Sequence, residues 1–147
     1  MTGRLDITEF PAFQGRGWRF GRGATRRGVT FDSRWGRVEL SEGEIDIQEA
    51  IVIILSTRRG SRVMRPDFGC SIRELPFQAI SSQLTAEIQR GVTEALRRFE
   101  ARIDVEEVKV GTDANLNGEL EVDITYRVRT TNQRGNLVYP FYFGEGA

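Results

Sequence analysis

A chain of 147 residues fits one domain with a short extension, and a domain of that size can bury a core without disulfides or metals. No histidine and a single cysteine exclude zinc sites built from Cys and His, and every nucleophile system that needs a histidine partner. Net charge is zero but uneven: residues 1–40 hold eight Arg against four acids, so the remainder carries the matching negative excess.

What chemistry is left falls to carboxylates, to Lys109, or to a Tyr or Ser acting alone. Twenty of the 21 basic residues are arginine, whose planar fork suits bidentate pairing with carboxylates at interfaces. No apolar run approaches the roughly 20 residues that span a bilayer, so no direct membrane insertion is expected. The first ten residues lack the layout of a secretory signal. Cys70 has no partner for an internal disulfide, which suits a reducing cytoplasm.

In chain order, Gly15 to Gly28 alternates Gly, Arg and aromatics without a period, and residues 1–28 read as an arm. Arg with Trp18 and Phe20 raises a nucleic-acid reading. The arm is short and the domain behind it acidic, so ordering against a neighbouring subunit is preferred and no nucleic acid is expected. Val29–Phe31 and Val38–Leu40 flank a turn and predict a hairpin. Ser41 and Glu44 have capping-box spacing ahead of a helix marked by Ile47, Ile51, Ile54 and Leu55, with Arg58 and Arg59 at its end and Gly60 as its stop. A second helix is expected from about Ser82 to Phe99, with Leu84, Ile88, Val92, Ala95, Leu96 and Phe99 on one stripe and close packing at Gly91. The period then changes to two. A strand through Ile103, Val105, Val108 and Val110 slips phase at Glu106–Glu107, as a bulge would cause. After the turn-rich segment Thr112–Gly118, Leu120, Val122, Ile124, Tyr126 and Val128 alternate with polar residues. Leu137–Phe143 is apolar and aromatic, and Pro140 marks an edge strand or a tail.

These elements predict an α+β fold, two helices packed on one face of a small antiparallel sheet. Extended N- and C-terminal arms would add strands to neighbours. The expected organisation is an arm over 1–28, the α+β domain over 29–136 and an apolar strand or tail over 137–147.

Two stretches compete as sites. Asp67-Phe68-Gly69 spells a kinase metal-binding motif, but the chain is far too short for that fold and lacks its other signatures. Pro66, Asp67, Phe68 and Gly69 read instead as a tight structural corner, with Arg58, Arg59, Arg62 and Arg65 as a cluster to grip acidic groups on a partner. At Phe99–Arg102 the second helix hands over to a strand. Glu100 and Asp104 there raise a lysozyme-like glycosidase, which needs carboxyls about 5 Å apart, or about 6.5–9.5 Å with a water between them. Acid pairs four residues apart are common on solvated faces, so no catalytic residue and no cofactor is expected.

Gly60-Ser61-Arg62-Val63-Met64-Arg65-Pro66-Asp67-Phe68-Gly69 resembles the signature of the baseplate wedge, or sheath-initiator, family of contractile phage tails, type VI secretion systems and extracellular injection particles. Thr57, Gly60, Arg62, Met64, Pro66 and Gly69 match its pattern. Gly17-Trp18-Arg19-Phe20 resembles the family's Gly-Trp-x-Phe-Pro entry, with Gly21 in place of the proline. Glu100-Ala101-Arg102 lies where members carry Glu-Pro-Arg. The resemblance covers residues 17 to about 141. It implies a structural subunit that assembles in the cytoplasm into a baseplate, with several copies around a six-fold axis. Its partners would be sheath protein and other wedge subunits, and there would be no small-molecule substrate. Glu100 and Arg102 would dock on other wedge subunits. Val138, Tyr139 and Phe141 would serve as a donated strand. Some members of the family are labelled lysozyme-like, the rival reading through Glu100.

Overall fold

The computed structural model describes residues 16–19, 31, 34, 36–38, 40–75, 81–111 and 119–142. The chain divides into two compact units, Met1–Ala50 and Ile51–Ala147.

In the first unit, β1 (Arg16–Trp18) pairs antiparallel with β2 (Leu40–Glu42), setting Gly17 opposite Ser41. Part of the expected arm is therefore a strand. Three residues are too few to show a period, and the partner lies more than twenty positions away. Gly17 has a steric reason: a Cβ there would overlap the carboxylate of Asp46. The expected hairpin survives as a bridge between Phe31 and Val38; Val29, Thr30 and Glu39, like Phe20 and Gly21, lie outside the described residues.

Helix α1 (Glu44–Ser56) carries the expected stripe, with Ile47, Ile51, Ile54 and Leu55 all buried. Its start differs from the capping-box expectation. The Gly43 carbonyl accepts the Ile47 N–H, so Ser41 stands too early to cap. Ser41 belongs to β2, and its hydroxyl faces two buried carboxylates, Asp46 at 3.2 Å and Glu49 at 2.8 Å. The helix also ends before Arg58 and Arg59. The Thr57 carbonyl accepts the Cys70 N–H at 3.0 Å instead of continuing the helical ladder.

The second unit continues through a 3-10 turn (Ser71–Glu74) to α2 (Ser82–Phe99), whose bounds are those expected. Ser81 caps it by accepting the Leu84 N–H at 3.2 Å. Gly91 packs closely as expected: a Cβ there would lie 3.0 Å from Ser71 Oγ. The sheet is antiparallel in the order β3 (Ile103–Gly111), β4 (Glu119–Val128), β5 (Arg134–Tyr142). Its register shifts between Val105 and Glu107, which leaves Glu106 as the extra residue of the expected bulge. In β4, Leu120, Val122, Ile124, Tyr126 and Val128 are all buried, so the alternation in sequence is the alternation in space. The turn Thr112–Gly118 lies outside the described residues. The architecture is α+β, two helices with small antiparallel sheets.

The C-terminal segment takes the edge-strand alternative of its expectation, not the tail. Residues 137–142 do not stand free for a neighbour; they pair with β4 of their own chain, Leu137 opposite Ile124 and Phe141 opposite Leu120. Pairing to a half-buried strand turns every second side chain inward, so Tyr139 and Phe141 are buried while Val138 is 52% exposed. Pro140 is tolerated because β5 is an edge. Phe143 lies outside the described residues.

Candidate functional site

The corner after α1 is built on backbone hydrogen bonds. Gly60 N–H donates to the Pro66 carbonyl at 2.8 Å, which closes the loop at its base. Within the loop, Arg65 N–H donates to Arg62 and Phe68 N–H to Arg65, at 3.2 and 3.1 Å. Gly69 takes φ +119°, and a Cβ there would overlap the Thr57 carbonyl oxygen. The carbonyl that ends α1 and the glycine that ends the corner therefore specify one another.

That corner and the end of α2, far apart in sequence, form one patch. The Phe68 and Phe99 rings meet with centroids 4.9 Å apart. The Arg62 guanidinium lies 4.2 Å over Phe68, and that of Arg98 lies 5.3 Å from the Phe99 centroid. Asp67 receives Arg98 Nη2 at 3.2 Å and lies 3.7 Å from Arg65 Nε. The expected site residues Arg62, Arg65, Asp67 and Phe68 are thus gathered at the C-terminal end of α2, against Arg98 and Phe99, the residues that precede Glu100. Arg98 and Phe99 complete the patch; the only sequence sign of them was an arginine and an aromatic closing an amphipathic helix just before Glu100.

Glu100 and Arg102 hold one another. Arg102 Nε donates to Glu100 Oε1 and Nη2 to Oε2, both at 2.7 Å, and the Arg102 N–H adds a bond to Oε1 at 3.2 Å. The Glu100 side chain is 6% exposed and that of Arg102 29%, so the arginine is the more exposed partner of the pair. This geometry opposes a glycosidase acid. Each Glu100 oxygen already accepts a bond from arginine, and Asp104 is taken by Arg129 at 2.6 Å. Two surface grooves flank β3, one against α2 through Arg90, Thr93 and Glu106, the other through Lys109, Glu121 and Val138; neither is lined by Glu100 or Asp104.

Elsewhere, Glu106 takes the forks of Arg134 and Arg127, each with a 2.6 Å contact. The hydrogen bond from Arg134, then that from Arg127, outweigh partial burial and hold its carboxyl below the usual glutamate range. Burial pushes the Cys70 thiol up, and its Sγ lies 3.6 Å from the Gly91 carbonyl, so it is a core group rather than a reactive one. Among the described residues no three Cys, Asp or Glu gather as a metal site, and no helix is long and apolar enough to cross a membrane.

The sequence profile of the baseplate wedge protein gp25 family matches residues 41–133, from the strand ahead of α1 to the turn ahead of β5. The chain belongs to that family, whose place is the baseplate of phage tails and tail-like particles. It is 32% identical over 71 residues to the baseplate wedge protein gp25 of Enterobacteria phage T4, a match spanning 48% of this chain and 54% of that protein. The chain thus spans about half the length of the curated relative it matches. A Geobacter sulfurreducens protein with the provisional name of tail lysozyme is 50% identical, with a TM-score of 0.69 over 74% of this chain and 98% of that one. A chain of the anti-feeding prophage baseplate shares the fold at 19% identity and a TM-score of 0.60, covering 88% of this chain and 86% of that one.

Proposed function

We propose that the chain is a non-enzymatic wedge subunit that docks on other wedge proteins through the patch at the end of α2 and offers the first sheath ring a template for growth. The observation that carries this reading is the Glu100–Arg102 fork. A buried carboxylate whose two oxygens both accept from the neighbouring arginine is a clasp, an arrangement that speaks against a proton donor. The name of the Geobacter relative supplies the rival reading, and the same fork speaks against it here. Among the described residues the sheet ends at β3 and β5, and an edge strand is the element to which a strand of sheath protein would add. Several copies would surround a six-fold baseplate.

The test replaces both partners of the clasp, Glu100→Gln with Arg102→Met, because exchanging a buried ion pair as a unit is often neutral for folding. The double variant should stay folded and be left out of assembled particles. Incorporation at the wild-type level would overturn the docking role of the pair.

A further inference from the structure

Val63 is 95% exposed and Met64 89%, more than the other exposed large apolar side chains of the described residues. They are adjacent, at the tip of the loop closed by the Gly60–Pro66 hydrogen bond and braced by the bonds of Arg65 and Phe68 N–H. An apolar pair held out into water on a fixed turn costs the free protein solvation, while its rigidity spares it most of the ordering cost on binding. Along the chain leading into this loop the charge has one sign, although in space Arg59 lies 3.6 Å from Glu94. Residues 50–66 contain Arg58, Arg59, Arg62 and Arg65 and no acid. The next acid, Asp67, is already taken by Arg98 and Arg65, and Arg62 is held in place by the Phe68 ring. Adaptable Met beside fixed Arg is the composition of an interface anchor rather than of a solvated loop.

We propose that Arg62–Arg65 is a preformed docking knob. Val63 and Met64 enter an apolar pocket on another baseplate subunit, and the flanking arginines pair with carboxylates at the rim of that pocket. This rests on the reading of the chain as a wedge subunit. The fit is specific in both its parts: the apolar pair disfavours a purely acidic surface, and the flanking Arg62 and Arg65 disfavour a basic one.

The full chain, carrying a photoreactive benzophenone amino acid in place of Met64, is expressed in the producing cell, and cross-links in purified particles are mapped by mass spectrometry. The expected product is a cross-link to one other subunit, at an apolar position with Asp or Glu close by. In parallel, Val63→Ser with Met64→Ser should lower incorporation about tenfold or more. Melting temperature should not change, since both side chains are exposed, and Met64→Leu alone should incorporate normally. A cross-link to nucleic acid or lipid, no cross-link, or full incorporation of the serine variant would overturn the knob. If wild-type chain enters particles and the serine variant enters equally, the knob alone fails. If wild-type chain is absent from particles, the wedge reading fails with it.

Discussion

Single residues show how closely local chemistry is tied to the fold. Glu106 is the bulge residue of β3, and its carboxylate ties β4 to β5 by receiving Arg127 and Arg134 together. Its carboxyl is held below the ordinary 4.5, so its contribution to stability is present above that value and is lost as pH falls through the lowered folded value. Glu106→Gln should therefore melt below wild type at neutral pH, with the gap closing as the medium is acidified past that window. A gap that persisted in acid would show that the arginines do not act through this charge. At the clasp, Arg102→Ala strands a Glu100 carboxylate that is 6% exposed, which should cost about 3 kcal/mol or more in denaturant unfolding. Glu100→Gln keeps an acceptor for the fork and should cost clearly less; equal losses would contradict the buried-charge account.

At the scale of elements, legibility followed pattern length. Helix α2 and strand β4 could be read because six buried positions at helical spacing and five at alternate spacing overdetermine them. Strand β1 was illegible at three residues, although Gly17 held a sign of close approach that only the position of Asp46 could interpret. The segment 137–142 reads equally as an edge strand or a tail, because Pro140 lacks a ladder donor and the unbroken apolar run conceals which side chains face the core; the structure takes the edge strand. Its register is fixed by Gly135 opposite Tyr126, where a Cβ would overlap the buried ring. Gly135→Ala should accordingly lose about 1–3 kcal/mol, measured by thermal or denaturant unfolding; a neutral outcome would mean that the ring can move aside. Removing residues 137–147 should unfold the sheet by exposing Leu120, Val122 and Ile124, so loss of assembly in that deletion would not by itself identify a donated strand. Of the site, Pro66–Gly69 and Glu100–Arg102 were each legible as local motifs. Their union through Phe68 and Phe99 was not, since a ring contact between residues so far apart in the chain leaves no period in the sequence.

At the scale of the molecule, one chain carries a conformationally fixed corner, an arginine-rich patch around two aromatic rings, and a sheet whose outer strands, among the described residues, are β3 and β5. Each feature suits contact with protein surfaces, and neither groove beside β3 is lined by Glu100 or Asp104, the two acids on which the lysozyme-like reading rests. The measurement that tests this most directly is recovery of a tagged full chain from its producing cell, with bound proteins identified by mass spectrometry and the recovered material assayed on cell-wall fragments. The account predicts co-recovery of sheath and other wedge subunits and no cleavage. A chain recovered alone that cleaves cell wall, with the cleavage lost in Glu100→Gln, would contradict it.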